Sequence, residues 1–333
     1  MKIKSVIAAA VAALSAFGVT ACAPQASDEE VKLVGVTAAE VGVRSDVDYF
    51  VVPEPAASVK VGAIENLEFA GSLQELYCGE NGYPQAVVVA KNEFTESSAC
   101  ASFLGALGGC GEWLLADSTS PETVVNAVKS HLADDMIPTF NAKNLSKTVM
   151  QNCNVRFVGA SDCKTRITRF MTEINALGTD FGTPADGFFY DGTPSSGEYE
   201  GKISVYAPDG APALGLAKML AGETDLGENF EYNVVDASTI QSFVAGGSPK
   251  ADICVLPVNL AVKMLGNGEK YKMLGTLTHG NLFLLSANGE KITAENISAL
   301  AGKTVGVINL AAVPGLTFKL ILKNNDIKYT ELQ

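Results

Sequence analysis

Two stretches of the 333-residue chain follow one pattern: KISVYAPDGAP at 202–212 and KTVGVINLAAVP at 303–314. Each combines an apolar run of strand length, a loop of small residues and a helix that begins near a proline. A second pair, DYFVVPEPAA at 48–57 and DICVLPVNLA at 252–261, repeats the same parts. Because runs rich in Val and Ile that precede helices are typical of buried parallel strands, the pattern predicts an α/β fold. Since two pairs recur, we expect two similar α/β lobes.

Other segments predict helices and a linker. Ser120 and Pro121 are typical of a helix start, and this helix is expected to run to about Ala133. Ser161 and Asp162 precede apolar residues spaced three and four apart, which predicts a second helix that ends at Gly178. Residues 191–200 are rich in Gly, Pro, Ser and acids and predict a linker. The three aromatic residues before it, 188–190, are expected to pin one segment to a core.

Length, composition and charge exclude several classes of protein. The length favours two lobes or domains, and 47% apolar content excludes a disordered chain, a coiled coil and a collagen-like repeat. The charge balance, 24 Lys and Arg against 37 Asp and Glu, argues against a nucleic-acid partner and against docking on anionic lipid through a basic patch. Two histidines are too few for a multi-histidine metal site, and we expect neither metal nor cofactor.

The N-terminus predicts export and a lipid anchor. Lys2 and Lys4 precede an apolar run at 6–19 that is shorter than a membrane-spanning helix, followed by small residues and Cys22. Val19-Thr20-Ala21-Cys22 resembles the bacterial lipobox, in which the cysteine is acylated. Residues 1–22 are therefore expected to be a lipoprotein signal and 23–30 a tether, which implies an extracytoplasmic protein anchored to the membrane. An ordinary signal with an incidental cysteine is the alternative.

Export would permit disulfides among the six remaining cysteines. None forms a CxxC pair, so neither a zinc ribbon nor thioredoxin-like chemistry is supported. Cys100 and Cys254 lie in apolar runs and are expected to be buried thiols. Cys153 and Cys163 flank a strand-like segment, and a disulfide between them is a possible pairing.

The sequence contains no enzyme signature that predicts a reaction. GxGxxG, Walker, GxSxG and HExxH patterns are absent, and the only candidate base, His279, has no identifiable nucleophile beside it. We therefore expect a protein without catalytic residues. The loops that follow the predicted strands are the better candidates for a site, because ligands of open α/β sheets bind beyond the carboxyl ends of the strands.

Six segments of the chain carry a resemblance to a known family: KISVYAPDGAPALGLAKML, KADICVLPVNLAVKML, LTHGNLFLL, LAGKTVGVINLAAVPGLTFKLILKNNDI, DVDYFVVPEPAASV and GYPQAVVVAKNEF. Together they resemble the extracytoplasmic solute-binding proteins of ABC importers, in the nitrate, sulfonate, taurine and thiamine-precursor branch. The resemblance implies a periplasmic-binding-protein fold of type II: two α/β lobes, joined by two crossing hinge strands, that close on a small molecule. It also implies a monomer that delivers this molecule to the subunits of a membrane permease.

The order of these segments differs from that of the family. The segment containing Asp48 comes first here, whereas the family places such a segment after the unit at 300–327, and joining Gln333 to about Asp28 restores the family order. The order of the segments therefore resembles that of a circular permutant of the family. On that alignment 31–82 and 289–333 form one lobe, here called the discontinuous lobe. Residues 92–285 form the continuous lobe, which includes a helical part at 97–178 and the linker at 191–200, and the hinge strands lie at about 83–91 and 279–288.

Ten residues are expected to line the cleft between the lobes, because they lie in strand-end loops or in a crossing strand. No arginine lies in these loops, so we expect a small neutral or weakly charged heterocycle or an amine as the ligand, with an anion as the second choice. Two other functions remain open: an exported enzyme on the same fold that acts on a pyrimidine precursor or a menaquinone intermediate, and a sensory lobe. The ten residues are Glu54, Asp209, Gly210, Ala211, Asn259, His279, Asn281, Asn309, Ala311 and Ala312.

Overall fold

The computed structural model describes residues 29–193, 195–224 and 226–332. Within these residues the chain forms two six-stranded mixed sheets with helices packed against them, so the predicted α/β class is confirmed. The predicted signal, its lipidated Cys22 and most of the tether lie outside the described residues. No helix in the described part of the chain is long and apolar enough to cross a membrane.

The strands, in chain order, are β1 (Val31–Val36), β2 (Tyr49–Pro53), β3 (Glu68–Ser72), β4 (Ala86–Lys91), β5 (Val155–Gly159), β6 (Ile203–Pro208), β7 (Phe230–Val235), β8 (Ile253–Pro257), β9 (Tyr271–Thr278), β10 (Leu282–Ser286), β11 (Thr304–Ile308) and β12 (Tyr329–Glu331). The helices are α1 (Ala56–Ala63), α2 (Leu73–Cys78), α3 (Asn92–Thr95), α4 (Ser98–Gly108), α5 (Cys110–Leu115), α6 (Pro121–Lys129), α7 (Lys147–Asn152), α8 (Ala160–Asn175), α9 (Ala211–Leu214), α10 (Ala217–Leu220), α11 (Val258–Leu265) and α12 (Val313–Asn324).

Five strands of each sheet have the same topology, β1-β11-β2-β10-β3 and β7-β6-β8-β4-β9, whereas the edge strands β12 and β5 have no counterpart. The sheet of the discontinuous lobe has the order β12-β1-β11-β2-β10-β3, and that of the continuous lobe, listed from its opposite edge, has the order β7-β6-β8-β4-β9-β5. In the first sheet β11 pairs in parallel with β1 and β2, and in the second β6 pairs in parallel with β7 and β8. In each sheet the next strand is antiparallel and directly follows a crossing between the lobes, β10 beside β2 and β4 beside β8. The repeated sequence units therefore occupy equivalent places in the two lobes.

The chain crosses between the lobes twice. It leaves the discontinuous lobe after α2 and reaches β4 through residues 79–85, and it returns from β9 to β10 through residues 279–281. The predicted hinge strands were too long, because β4 pairs only within the second sheet and β10 only within the first. Consequently β10 belongs to the discontinuous lobe and not to the range 92–285.

The predicted helices form with shifted ends. The side-chain oxygen of Ser120 accepts a hydrogen bond from Thr123 N at 3.1 Å and caps α6 as expected. This helix ends at Lys129 rather than near Ala133 because the next residues hydrogen-bond to β7: His131 O accepts from Val234 N, and Ala133 N donates to Val234 O. Helix α8 begins one residue before the predicted cap and buries the expected apolar face.

Helix α8 contacts both lobes. Tyr77 of α2 donates from its hydroxyl to Glu173 of α8 at 3.1 Å, and its ring meets Phe170 edge to face. Lys323 of α12 donates to the carbonyl oxygen of Ala176 at 3.1 Å. The aromatic residues at 188–190 are buried, and Tyr190 N bonds to Met273 O of β9, which confirms that they pin the segment before the linker.

The two ends of the described chain lie side by side. Strands β1 and β12 pair in parallel, with Val31 opposite Tyr329 and Leu33 opposite Glu331. Leu332 therefore lies about five residues along the ladder from Glu29, a gap of roughly 17 Å that five or six residues would span. The strands β6 and β11 lie in different sheets. Both arrangements are those that a permuted chain requires, and the permutation itself stays a hypothesis.

Candidate functional site

The two crossings bring the strand ends of both lobes together. Leu282, just after the second crossing, pairs with Pro53 at the end of β2, and Ala86, just after the first, pairs with Pro257 at the end of β8. Since β2 and β11 are parallel, as are β6, β7 and β8, the loops after these strands lie at the facing edges of the two sheets. Most of the ten predicted residues lie at these edges.

Glu54 makes the hydrogen bond that links the two lobes at this edge. It follows β2, is 5% exposed, and accepts from Asn152 Nδ2 of α7, in the continuous lobe, at 2.6 Å. Its two carboxylate oxygens also accept from the hydroxyl of Ser58 at 2.7 Å and from Ser58 N at 3.1 Å, in the first turn of α1. A carboxylate at this position is favoured because the N-terminal N–H groups of a helix carry partial positive charge.

Three amide side chains continue this polar group toward the continuous lobe. Gln85 Nε2 donates to Asn281 Oδ1 at 2.8 Å, and Glu54 N donates to Asn281 O at 3.0 Å. Asn259, second residue of α11, is 8% exposed, and its Oδ1 has no hydrogen-bond partner. The Oε1 atom of Gln85 is also buried without a partner. We call Glu54, Gln85, Asn152, Asn259 and Asn281 the crossing cluster.

The loop after β6 is fastened to the continuous lobe. Asp209 Oδ2 accepts from Thr139 N at 2.6 Å, and its Oδ1 accepts from Gly210 N at 2.8 Å. Gly210 has φ of 106° and is buried together with Ala211. The carboxylate therefore holds the loop against the segment that precedes α7.

The loop after β11 is the counterpart in the discontinuous lobe, and it is exposed. Asn309, Ala311 and Ala312 all face solvent, and Asn309 adopts φ of 58°, which asparagine tolerates better than most residues. The predicted site residues thus form two groups, a buried one at the crossings and an exposed one at the end of β11.

His279 lies in the second crossing, and hydrogen bonds hold its ring there. It is fully buried, its Nε2 lies 3.0 Å from Arg156 O, and its Nδ1 lies 3.1 Å from the guanidinium of Arg166. Because a guanidinium only donates, Nδ1 is the acceptor and Nε2 carries the proton of a neutral ring. Burial and the two nearby arginines lower the pKa of His279 to about 3. With both nitrogens engaged, the imidazole is available neither as a base nor as a cleft-lining group.

Two arginines and an asparagine hold the crossings in place. Arg156 and Arg166 donate to Asn81 O at 2.7 and 2.9 Å, and Asn154 Nδ2 donates to His279 O at 2.9 Å. A side chain at Gly82 would overlap His279 O, so glycine is required for the close approach of the two crossing segments. Sequence reasoning missed this set, as well as Gln85 and Asn152, because these residues lie outside the repeated units. The available sequence signal was that arginine is rare in this chain, which could have drawn attention to Arg156 and Arg166.

The cysteines and acidic side chains of the described part of the chain form no metal site. The predicted disulfide is also wrong: Cys153 and Cys163 are both free, buried thiols. Their surroundings differ, since Cys153 lies near Glu54 whereas Cys163 lies beside Thr276 of β9, and burial raises the pKa of both thiols. Cys100 and Cys254 are buried thiols as predicted.

Comparison with known proteins gives no family assignment: no protein-family profile matches this chain, and no curated protein or solved structure matches it.

Proposed function

We propose that this protein is the solute-binding component of an ABC importer. It captures a small molecule between its lobes and delivers it to a membrane permease. The observation that supports this function best is the pair of sheets that share a five-strand topology and are joined by two chain crossings, with polar side chains of both lobes meeting there. Two lobes joined at two short crossings allow hinge closure around a ligand.

The proposed protein binds its ligand without converting it. The lobes move about residues 79–85 and 279–281, and the hydrogen bond between Glu54 and Asn152 forms as they close. The closed form is the one presented to the permease, while acylated Cys22 holds the protein, as a monomer, at the outer face of the cell membrane. The buried and fully bonded His279 offers no support for the alternative of an enzyme.

The direct test is a thermal-shift screen of small molecules followed by isothermal titration. A ligand should raise the melting temperature, bind with one-to-one stoichiometry and reduce the radius of gyration in small-angle scattering as the lobes close. A screen across anions, sulfonates, pyrimidines and amines without any stabilising compound would argue against the function. Turnover of a bound compound that is lost in His279→Ala would favour the enzyme instead.

We also propose that the chain is a circular permutant, and a rearranged gene tests this. The variant starts at residue 201, joins residue 332 to residue 29 through a six-residue Gly/Ser linker, and ends at residue 190. We expect it to fold with a melting temperature close to that of the parent. As control, a variant opened within β9 should not fold, because β9 is buried and pairs on both sides. If the variant that starts at residue 201 does not fold, this result contradicts the permutation.

A further inference from the structure

Glu54 is a buried carboxylate whose hydrogen-bond donors are all neutral. They are an amide of Asn152, a hydroxyl of Ser58 and the backbone N–H of Ser58. Among the ion pairs of the described residues, none includes Glu54. A buried charge is costly unless an opposite charge accompanies it, so the site as it stands lacks a cation.

The strand-end loops around the crossing cluster do not supply one, and the two arginines at the crossings, Arg156 and Arg166, donate to Asn81 O and to His279 Nδ1 rather than to Glu54. The strand-end segments 53–58, 84–86, 208–216, 235–242, 257–262 and 309–316 contain no lysine, arginine or histidine. They do contain two further carboxylates, Asp209 and Asp236. The backbone N–H of Ser58 at the start of α1, a group suited to an anion, already donates to Glu54. An anionic ligand among these segments would therefore meet the negative charge of Glu54 without a lysine, arginine or histidine from the same segments.

Two unpartnered acceptors make a second, independent observation. Asn259 Oδ1 lies in a side chain that is 92% buried, and Gln85 Oε1 is buried as well, yet neither accepts a hydrogen bond. Both residues lie at the facing strand ends, where Val258 N donates to Gln85 O. A buried acceptor without a donor destabilises a protein, so donors from outside the chain would be favoured here.

We infer that the ligand of the crossing cluster is a small organic cation whose N–H groups donate to Glu54 and to the free amide oxygens of Asn259 and Gln85. This inference rests on the proposed binding function and names its substrate class. Amidinium, guanidinium and protonated amino-heterocycle groups have the required charge and planar array of donors. The carboxylate gives charge-assisted hydrogen bonds, and the amide oxygens fix the orientation of the ligand.

The test uses three probes of nearly equal size and shape: benzamidine, which is a cation, benzamide, which is neutral, and benzoate, which is an anion. They are part of a thermal-shift panel with equal numbers of small cations, neutral compounds and anions. We expect stabilisation by cations, at least tenfold tighter binding of benzamidine than of benzamide by isothermal titration, and no binding of benzoate. Stabilisation by anions or neutral compounds but not by cations would overturn this inference and leave the proposed function standing. No stabilisation by any compound would overturn both.

Two variants test the residues. Glu54→Gln keeps the size of the side chain and removes its charge, so the preference for benzamidine over benzamide should fall at least tenfold. Glu65→Gln, an exposed carboxylate of the same lobe, is the matched control and should leave binding unchanged. Asn259→Leu keeps Glu54 intact and should weaken cation binding several-fold. If Glu54→Gln folds and its preference for cations is unchanged, the proposed role of Glu54 in cation binding is contradicted. If Glu54→Gln does not fold, unchanged cation binding in Asn259→Leu contradicts the proposed site.

Discussion

The two lobes share a strand topology and differ in how deeply their equivalent residues are buried. Asp48 and Asp252 open equivalent strands, β2 and β8, and each accepts a hydrogen bond from the neighbouring strand, from Thr304 N at 2.8 Å and from Ser204 N at 2.7 Å. Asp48 is exposed, whereas Asp252 is 7% exposed. Asp252 also accepts from Lys91 Nζ at 2.9 Å and from the hydroxyl of Tyr199 at 2.8 Å. The two aspartates therefore accept the same kind of backbone hydrogen bond, Asp48 at the solvent-exposed surface and Asp252 in the protein interior.

The loop that follows β6 is likewise more buried than its counterpart after β11. The segment 209–211 is largely buried and bonded to Thr139, whereas Asn309, Ala311 and Ala312 are exposed. The continuous lobe contains the inserted region from α4 to α8, which covers its loops, and the discontinuous lobe has no such insertion. The same repeated unit therefore ends in a buried, hydrogen-bonded loop in one lobe and in an exposed loop in the other.

The largest effect expected from this comparison concerns the two aspartates. Asp252→Ala should lower the free energy of unfolding by about 3–5 kcal/mol, because it leaves the partly buried Lys91, the hydroxyl of Tyr199 and Ser204 N without their common acceptor. Asp48→Ala removes an exposed hydrogen bond and should cost about 1 kcal/mol. Urea denaturation of both variants measures the difference. Equal losses would show that the unequal burial has no energetic consequence.

The second effect distinguishes two glycines of the first crossing. Gly79 and Gly82 both have positive φ, 55° and 59°, but an added side chain meets nothing at Gly79 and overlaps His279 O at Gly82. With ψ of −140° and −154°, both glycines lie in a region that other residues rarely adopt. Gly79→Ala should therefore cost about 2 kcal/mol, and Gly82→Ala about 4 kcal/mol because the crossings must also separate. Thermal and urea unfolding provide the measurement. If both variants lose the same stability, the close packing of the crossings is not a constraint.

The third effect is a dependence of stability on pH that comes from His279 in the second crossing. The pKa of His279 falls from 6.5 to about 3 on folding, so between these values the unfolded chain binds a proton that the folded chain does not. Stability therefore rises with pH through this window and is fully present above pH 6.5. Its loss from pH 7 to pH 5 should be roughly 2 kcal/mol.

His279→Gln should flatten this slope, whereas His131→Gln, at the end of α6 and away from the crossings, should preserve it. Urea midpoints collected at pH 5, 6 and 7 decide the point. An unchanged slope in His279→Gln would mean that other groups account for the acid sensitivity.

The smallest effect compares the two strand-end loops. Asp209→Ala removes two backbone hydrogen bonds in a partly buried loop and should cost about 1–2 kcal/mol. Asn309→Ala changes an exposed residue with positive φ and should cost about 0.5 kcal/mol. Hydrogen exchange should show faster exchange around residue 139 only in the first variant. Equal exchange in both variants would remove the distinction between a fixed and a free loop.

Much of the fold was readable from local patterns. The repeated strand–loop–helix units predicted two α/β lobes and the place of Asp209, Asn259 and Glu54 at strand ends. Capping residues predicted the start of α6, since Ser120 bonds its own neighbour and needs no tertiary partner. The end of that helix was mispredicted, because His131 and Ala133 bond to a strand distant in sequence.

Residue type and periodicity along the chain were sufficient for the α/β class, the two-lobe repeat, the lack of arginine in the strand-end loops and the buried thiols of Cys100 and Cys254, because these properties act over a few neighbouring residues. Only the packed structure shows where the crossings lie, that His279 is bonded to Arg156 and Arg166, that Cys153 and Cys163 do not pair, and that Asn152 meets Glu54. These features depend on contacts between residues far apart in the sequence, such as His279 with Arg156, 123 positions apart, and Leu282 with Pro53. The geometry of such contacts is fixed only when both sheets and the helices between them have packed.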